Sequence, residues 1–460
     1  DRMINREPRK LPGSASQRWR KTSNKFAFPR RQGPPKGRAG GDARARERRC
    51  VAKFIPDRRA GTASWPRAGG GATVSWSGGV PAEPIKTKTG EATVKLGLFM
   101  MPLHMPTRDL RAALKDDQDL VVMADRLGFA EAWMGEHFAS TGEPVTSPLI
   151  FNASVLERAP NIRLGSGVIS LPQQHPAVVA GHVALLDQLS GGRVIFGIGS
   201  GGLSSDWEVF NNLDHAKRGR AMLESIDVIL RLWAEGPPFE HAGENWQFAM
   251  KDYVIDDLGV GHMIKPLQQP HPPVAVSIRG RNSGLAVLAG ERGWIPISGN
   301  FIDADDIACH WPRYQEGADN AGRVADPSIW RVARSVLVTD SDSEADDILA
   351  DPEGVFSDYY YYLNTHMKLA SGTLTQPHDP AAERAEAVKK AKSLVIAGSR
   401  RRVLDQLIAF CEQVGDFGHL VITGHDMDGR HEMWRRSFTA IAEEIAPRLT
   451  QHREGRRRVA

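Results

Sequence analysis

A carboxylic acid and an imidazole stand side by side at Glu136 and His137, where the apolar run 130–135 stops. An imidazole exchanges protons near neutral pH, and a neighbouring carboxylate can orient it. The same pair can instead do no more than close a strand and bond to nearby backbone. Three further stretches bring hydroxyls, guanidinium groups and bare backbone together: IRLGSGVISL at 162–171, the loop SGGLSSD from Ser200, and SIRGRNSG from Ser277. Backbone amides and hydroxyls just ahead of a helix suit an anion such as a phosphate. The three cysteines, Cys50, Cys309 and Cys411, are odd in number and far apart, which excludes a disulfide framework and any CxxC metal site, so no metal centre is expected.

Those residues need a scaffold, and the hydropathy pattern supplies one. Residues 94–101 are short, apolar and closed by Pro102, as a buried strand would be. From 109 to 127 apolar residues recur at helical spacing (Leu110, Ala113, Leu114, Leu120, Val121, Ala124, Leu127), with Gly128 as the stop. With 130–135 this makes strand, helix, strand. Such units join parallel strands whose carboxyl ends carry the site, so His137 stands where a reacting group is expected.

The alternation continues as a helix at 148–158, a strand at 162–171, a helix at 176–189 with proline at its start, and a strand at 193–199. A helix at 217–234 follows, then an insertion at 236–272 with a possible hairpin inside WQFAMKDYVIDDLGVGHMIKP. Further strands are expected at 273–278, 293–298, 330–339 and 419–424, with helices at 283–292, 399–414 and 431–445. The region 340–392 reads as helical in patches. Eight strands alternating with helices predict an α/β fold, a (β/α)8 TIM barrel with insertions over residues 93–450, with a doubly wound open sheet as the competing arrangement.

The chain has 460 residues, 41% of them hydrophobic, enough for one large core. Its formal charge of +4 conceals two unlike parts. Residues 1–90 carry 22 Lys and Arg against 6 Asp and Glu, leaving the remainder at −12. Residues 1–92, rich in Arg, Gly and Pro without a helical or strand period, are expected to form a disordered basic extension. Such an arm can meet nucleic acid through phosphates, but it lacks the regular aromatic spacing of a single-strand platform, and no nucleic-acid partner is expected. The pattern of ordered elements begins abruptly at Val94, a residue encoded by a common alternative start codon, so the native chain is expected to start there. Residues 451–460 read as a basic C-terminal tail. No apolar run approaches a bilayer span, and a cytoplasmic protein with no membrane partner is expected.

Across residues 94–448 the chain resembles the bacterial-luciferase-like flavin-dependent monooxygenases, most closely the limonene-monooxygenase-type branch. The resemblance is carried by LGLFM, EAWMGEHF, SGVISLPQQHP, LLDQLSGGRVIFGIGSG and HLVITGHDMDGRHEMWRRSF, in order and at matching loop positions. It implies a two-component enzyme that takes reduced FMN from a separate NAD(P)H-dependent flavin reductase. Molecular oxygen is the co-substrate, and one oxygen atom is inserted into a small hydrophobic compound of the terpene, aldehyde or ketone type. A homodimer through helices near the second and third strands is also implied. The alternative on the same barrel is a deazaflavin-dependent dehydrogenase or reductase, which needs no oxygen.

The resemblance also implies roles for single residues. His137 matches the catalytic histidine, and Glu136 orients it or holds a neighbouring loop. Gly167 and Val168 match a strand bulge with a non-prolyl cis peptide under the flavin ring; close packing is the plainer reading. Ser277, Arg279, Asn282 and Ser283, with Ser200 and Gly201 after the fourth strand, are expected around the cofactor, Ser277 and Ser283 on the phosphate with Arg279 as counter-charge. His175 matches a recurrent histidine with a possible structural role. Luciferase proper has Cys-Arg-Gly where this chain has Gly199, Ser200 and Gly201, which argues against light emission with a long aldehyde and leaves room for a bulkier substrate. Tyr359–Tyr362 fall where the family carries a mobile lid, either over a pocket or simply packed.

Overall fold

Strand residues of this chain alternate between two apolar surroundings, and that alternation closes the sheet. In the computed structural model, which describes residues 94–457 except 101, 102 and 375, eight parallel strands form a ring. They are β1 (Lys95–Met100), β2 (Glu131–Met134), β3 (Arg163–Ser166), β4 (Val194–Gly199), β5 (Val274–Ile278), β6 (Ile295–Ser298), β7 (Arg331–Arg334) and β8 (His419–Gly424). Each pairs with its sequence neighbour, and β1 pairs with β8 from Lys95↔His419 to Met100↔Gly424. The sheet is a closed eight-stranded parallel α/β barrel, which excludes the open sheet. The N-terminal extension, the expected start at Val94 included, falls outside the described residues or at their edge.

Leu96, Leu98, Met100, Ala132, Met134 and Leu164 point outward into the core beneath the helices. Phe99, Trp133, Ile195, Ala275, Ile297, Ala333 and Val421 fill the interior. The Trp133 indole takes the space of a side chain at position 165: a Cβ on Gly165 would lie 2.4 Å from its ring. Below it Glu131 accepts from Trp133 Nε1 (2.9 Å) and from Arg331 Nε and Nη2 (3.1 and 2.9 Å). A buried acid is tolerable there because a two-pronged guanidinium matches both its oxygens. Among the described residues this group fills the amino-terminal end of the barrel, opposite the carboxyl rim.

The first helix, Leu110–Arg126, starts on Asp109, whose carboxylate accepts from Ala112 N, and is followed by Gly128 at φ +77°. Other boundaries differ from expectation. The strand expected at 330–339 breaks at Ser335; Val336–Val338 leaves the ring and pairs in parallel with Ile396–Gly398. The hairpin joins Phe239–Ala242 to Gln247–Met250, earlier than expected. Helices Ser204–Val209, Ala304–Ala308 and His310–Asn320 add to the expected set. The region 340–392 holds three helices, Asp342–Ala350, Val355–Ser371 and Pro380–Leu394. The last helix passes through a π turn, Ile441–Ile445, and continues to Arg457, so the basic residues from 451 to 457 are helical rather than a separate tail. Among the described residues no helix is long and apolar enough to cross a membrane.

Candidate active site

The chain leaves β2 through Gly135, Glu136 and His137 onto the carboxyl rim. Glu136 is buried and points along the rim: Oε1 accepts from Ser170 N (2.8 Å) and Oε2 from the Gln174 side chain (3.0 Å). It holds the segment after β3. Burial pushes its carboxyl up to about 7, against the lowering effect of the Ser170 and Gln174 hydrogen bonds. No hydrogen bond joins it to His137 among the described residues.

His137 is held from two other directions. Its Nδ1 lies 3.1 Å from Asp206 Oδ2, and Asp206 Oδ1 accepts from the backbone N–H groups of Phe138 (3.0 Å) and Ala139 (2.7 Å). Its Nε2 faces Glu143 Oε2 at 3.5 Å. Burial disfavours the imidazolium, but the charges of Glu143, Asp206 and Glu136 and the Asp206 hydrogen bond outweigh it and raise the pKa of His137.

Beside this cluster β3 is interrupted. The Gly167–Val168 peptide is cis, and Ile169–Ser170 resumes pairing with β4. Gly167, Val168 and Ser277 line an apolar cavity with Phe99, Ile297, Asn300, Phe301 and Ala333. A Cβ on Gly199 would stand 2.5 Å from Val168 Cγ2, so the glycine after β4 makes space for the Val168 side chain.

A second group of polar atoms surrounds the next turn of that loop. Gly201, at φ +91°, packs against Gln173 Nε2 and Trp207 Nε1, each 3.2 Å from where a Cβ would stand. Both polar atoms of the Gln173 side chain, Trp207 Nε1 and Arg218 Nε are buried and lack a hydrogen-bond partner among the described residues. The Arg218 guanidinium lies over the Trp207 ring at 3.8 Å. Arg279 Nη1 approaches Gly202, and burial lowers the Arg279 pKa. Ser200 neighbours this cradle in the chain. Asn282 and Ser283 sit on the turn before the helix Gly284–Arg292; Ser283 is its N-cap residue, but its hydroxyl does not cap the helix.

The helix Val355–Ser371 ties itself to the rim through the first and last of its four consecutive tyrosines. Tyr359 donates to Asn300 Oδ1 (3.0 Å), and the Tyr362 hydroxyl contacts Glu143 Oε2 (2.7 Å) and Ser140 Oγ (2.8 Å). Tyr361 faces away, stacked on His378. His366, one turn beyond Tyr362, is held neutral with a pKa of about 4, chiefly by burial and then by the nearby charges of His137 and Arg279. His175 caps the helix Pro176–Leu189, its Nδ1 accepting from Ala177 N, and packs on Trp246 and Phe248 of the insertion.

Sequence reasoning missed Asp206, Glu143, Gln173, Trp207, Arg218 and His366. Asp206 ends the loop SGGLSSD and Arg218 lies near the start of the helix expected after it, so both stood close to residues singled out. Glu143 and His366 carried no local signal.

The model of the luciferase-like monooxygenase family matches residues 94–416. The chain is 34% identical over 372 residues to 4-hydroxyprotoasukamycin monooxygenase of Streptomyces nodosus subsp. asukaensis, covering 79% of this chain and 94% of that one. It is 30% identical over 361 residues to limonene 1,2-monooxygenase of Rhodococcus erythropolis, covering 77% and 86%. Among solved structures, the oxygenating constituent of 3,6-diketocamphane monooxygenase of Pseudomonas putida, a type II Baeyer–Villiger monooxygenase in complex with FMN, superposes with a TM-score of 0.67 at 26% identity, covering 77% of this chain and 98% of that one. A closed parallel barrel with a cluster of buried polar residues at its carboxyl rim, together with these likenesses, defines an oxidoreductase. The chain belongs to the luciferase-like monooxygenase family.

Proposed function

We propose that this protein is a flavin-dependent monooxygenase that takes reduced FMN and molecular oxygen and inserts one oxygen atom into a small hydrophobic compound. The observation that carries the reading is the junction, through Gly199 and Val168, of an apolar slot at Gly167–Val168 with unpaired donors around Gly201. A planar apolar ring joined to a phosphate fits both halves. Gly167 and Val168 would hold the ring, and so would Ser277, which lines the slot instead of standing with the phosphate donors as the sequence suggested; Arg279, Arg218, Gln173 and Trp207, with the backbone around Ser200 and Gly201, would hold the phosphate. Asn282 and Ser283 would take its outer side. Unpaired buried donors are costly without a ligand, and guanidinium groups suit phosphate oxygens.

Bound reduced flavin supplies two electrons and activates dioxygen. One oxygen atom enters the substrate and the other leaves as water. The chain does the rest: Phe99, Ile297, Phe301 and Ala333 keep water from the slot. His137 holds a proton at Nε2 on the rim, oriented by Asp206 through Nδ1. Glu136 fixes the Ser170–Gln174 segment and so the shape of the slot; it is a positioning residue.

The name of the Pseudomonas relative, an oxygenating constituent, supports a separate flavin reductase as partner. The relatives acting on limonene, a diketocamphane and 4-hydroxyprotoasukamycin support an apolar substrate. A homodimer is part of the reading as what the family resemblance implies; Ile150 and Leu189 are exposed on the helices after β2 and β3, where it would form. A cytoplasmic location, where reduced nicotinamide feeds the reductase, goes with it. The test is incubation with FMN, NADH and a flavin reductase under isotopically labelled dioxygen, with terpenes, aldehydes and ketones as candidates. One labelled oxygen per product is expected; turnover only with a reduced deazaflavin, without oxygen, would overturn the proposal.

A further inference from the structure

Asp206 and Glu143 are each 2% exposed, and among the described residues neither forms an ion pair with a lysine or arginine. Two buried carboxylates without a cation are expensive. The group between them is the His137 ring, with Nδ1 3.1 Å from Asp206 and Nε2 3.5 Å from Glu143. Asp206 already accepts two backbone N–H groups through Oδ1, and the hydrogen bond from its Oδ2 to His137 is made with the proton on Nδ1. On the other side Glu143 Oε2 accepts the Tyr362 hydroxyl proton at 2.7 Å, while its Oε1 has no hydrogen-bond partner. Ser140 Oγ receives the Glu143 N–H and meets the same tyrosine, so the carboxylate is fixed from both ends.

We propose that Glu143, gripped by Tyr362 from the covering helix, is a positioning residue that keeps His137 protonated on both ring nitrogens, so that the rim carries a resident acid rather than a base. An imidazolium presents Nε2–H to negative charge developing on an oxygen atom, which a neutral ring with its proton on Nδ1 cannot do. The other groups facing His137 agree with this. Glu136, on its own strand end, adds a weaker pull toward the cation once it ionises, above about pH 7. His366, from the covering helix, is neutral and so does not oppose it. The proposal builds on the functional reading only for its catalytic consequence; the charge on the ring belongs to the protein alone.

The test therefore uses the full chain without flavin. Histidine side chains are labelled with carbon-13 and titrated by NMR, the His137 signal being assigned by its loss in His137→Gln. In the wild type the midpoint should lie above the ordinary 6.5. In Glu143→Gln, which keeps shape and the hydroxyl contact, it should fall by about one unit or more. A wild-type midpoint at or below 6.5 overturns the proposal, whatever the variant does. So does an unmoved midpoint in a folded Glu143→Gln. A protein that binds no flavin would still give the expected titration, so this inference and the cofactor reading fail separately.

Discussion

Replacing Glu136 with glutamine removes a carboxyl that the fold holds at about 7 against an ordinary 4.5. That difference corresponds to about 3 kcal/mol of preference for the neutral form in the folded chain. The folded protein keeps this proton up to about pH 7, whereas the unfolded chain releases it near 4.5, so between those values the folded state binds more protons and stability falls as pH rises. Glutamine has no such titration. Its carbonyl still accepts from Ser170 N, and its NH2 meets Gln174, whose amide can turn to present oxygen. The stability of Glu136→Gln relative to the wild type should therefore rise by about 3 kcal/mol between about pH 4 and pH 8, nearly all of it within the window from 4.5 to 7. Urea denaturation of both proteins across that range, followed by tryptophan fluorescence, reads the difference. Stability curves that stay parallel would refute the claim that Glu136 is a buried, desolvated carboxyl and with it the argument that its work is to hold the β3 segment.

His137→Ala should lower product formation by about two orders of magnitude and send the consumed oxygen to hydrogen peroxide, while reduced FMN affinity changes little; coupled oxygen and peroxide assays measure this. Arg279→Ala should weaken reduced FMN binding about tenfold or more and leave reduced riboflavin, which has no phosphate, almost unaffected in anaerobic titrations. Gly197→Ala should cost about 1 to 3 kcal/mol in urea denaturation, because the added Cβ would stand 1.8 Å from the Ser166 carbonyl oxygen across the β3–β4 seam.

What was legible in the chain followed local signals. The helix Leu110–Arg126 has a side-chain cap, an apolar stripe and a glycine stop in consecutive residues, and its limits match the pattern within a residue. The strand His419–Gly424 and the helix Pro176–Leu189 are equally self-contained. His137 and the Gly167–Val168 step were marked because strand ends are readable from hydropathy. The partners of His137 were not: Asp206 arrives from the loop after β4, and Glu143, six residues on, is held in place by Tyr362 from a helix more than two hundred residues further along. Nothing local distinguishes Glu143 from any loop glutamate; its importance comes from burial that only the folded chain creates. The break at Ser335 was hidden for the opposite reason, since the run from Trp330 to Val338 has no glycine or proline to divide Arg331–Arg334 from Val336–Val338.

The most direct measurement is a crystal structure of the protein with FMN bound. The ring should lie against Gly167 and Val168 with one edge toward His137, and the phosphate should sit among Arg279, Arg218 and Gln173. A flavin bound elsewhere on the molecule, or one whose phosphate points away from those three side chains, would contradict the account.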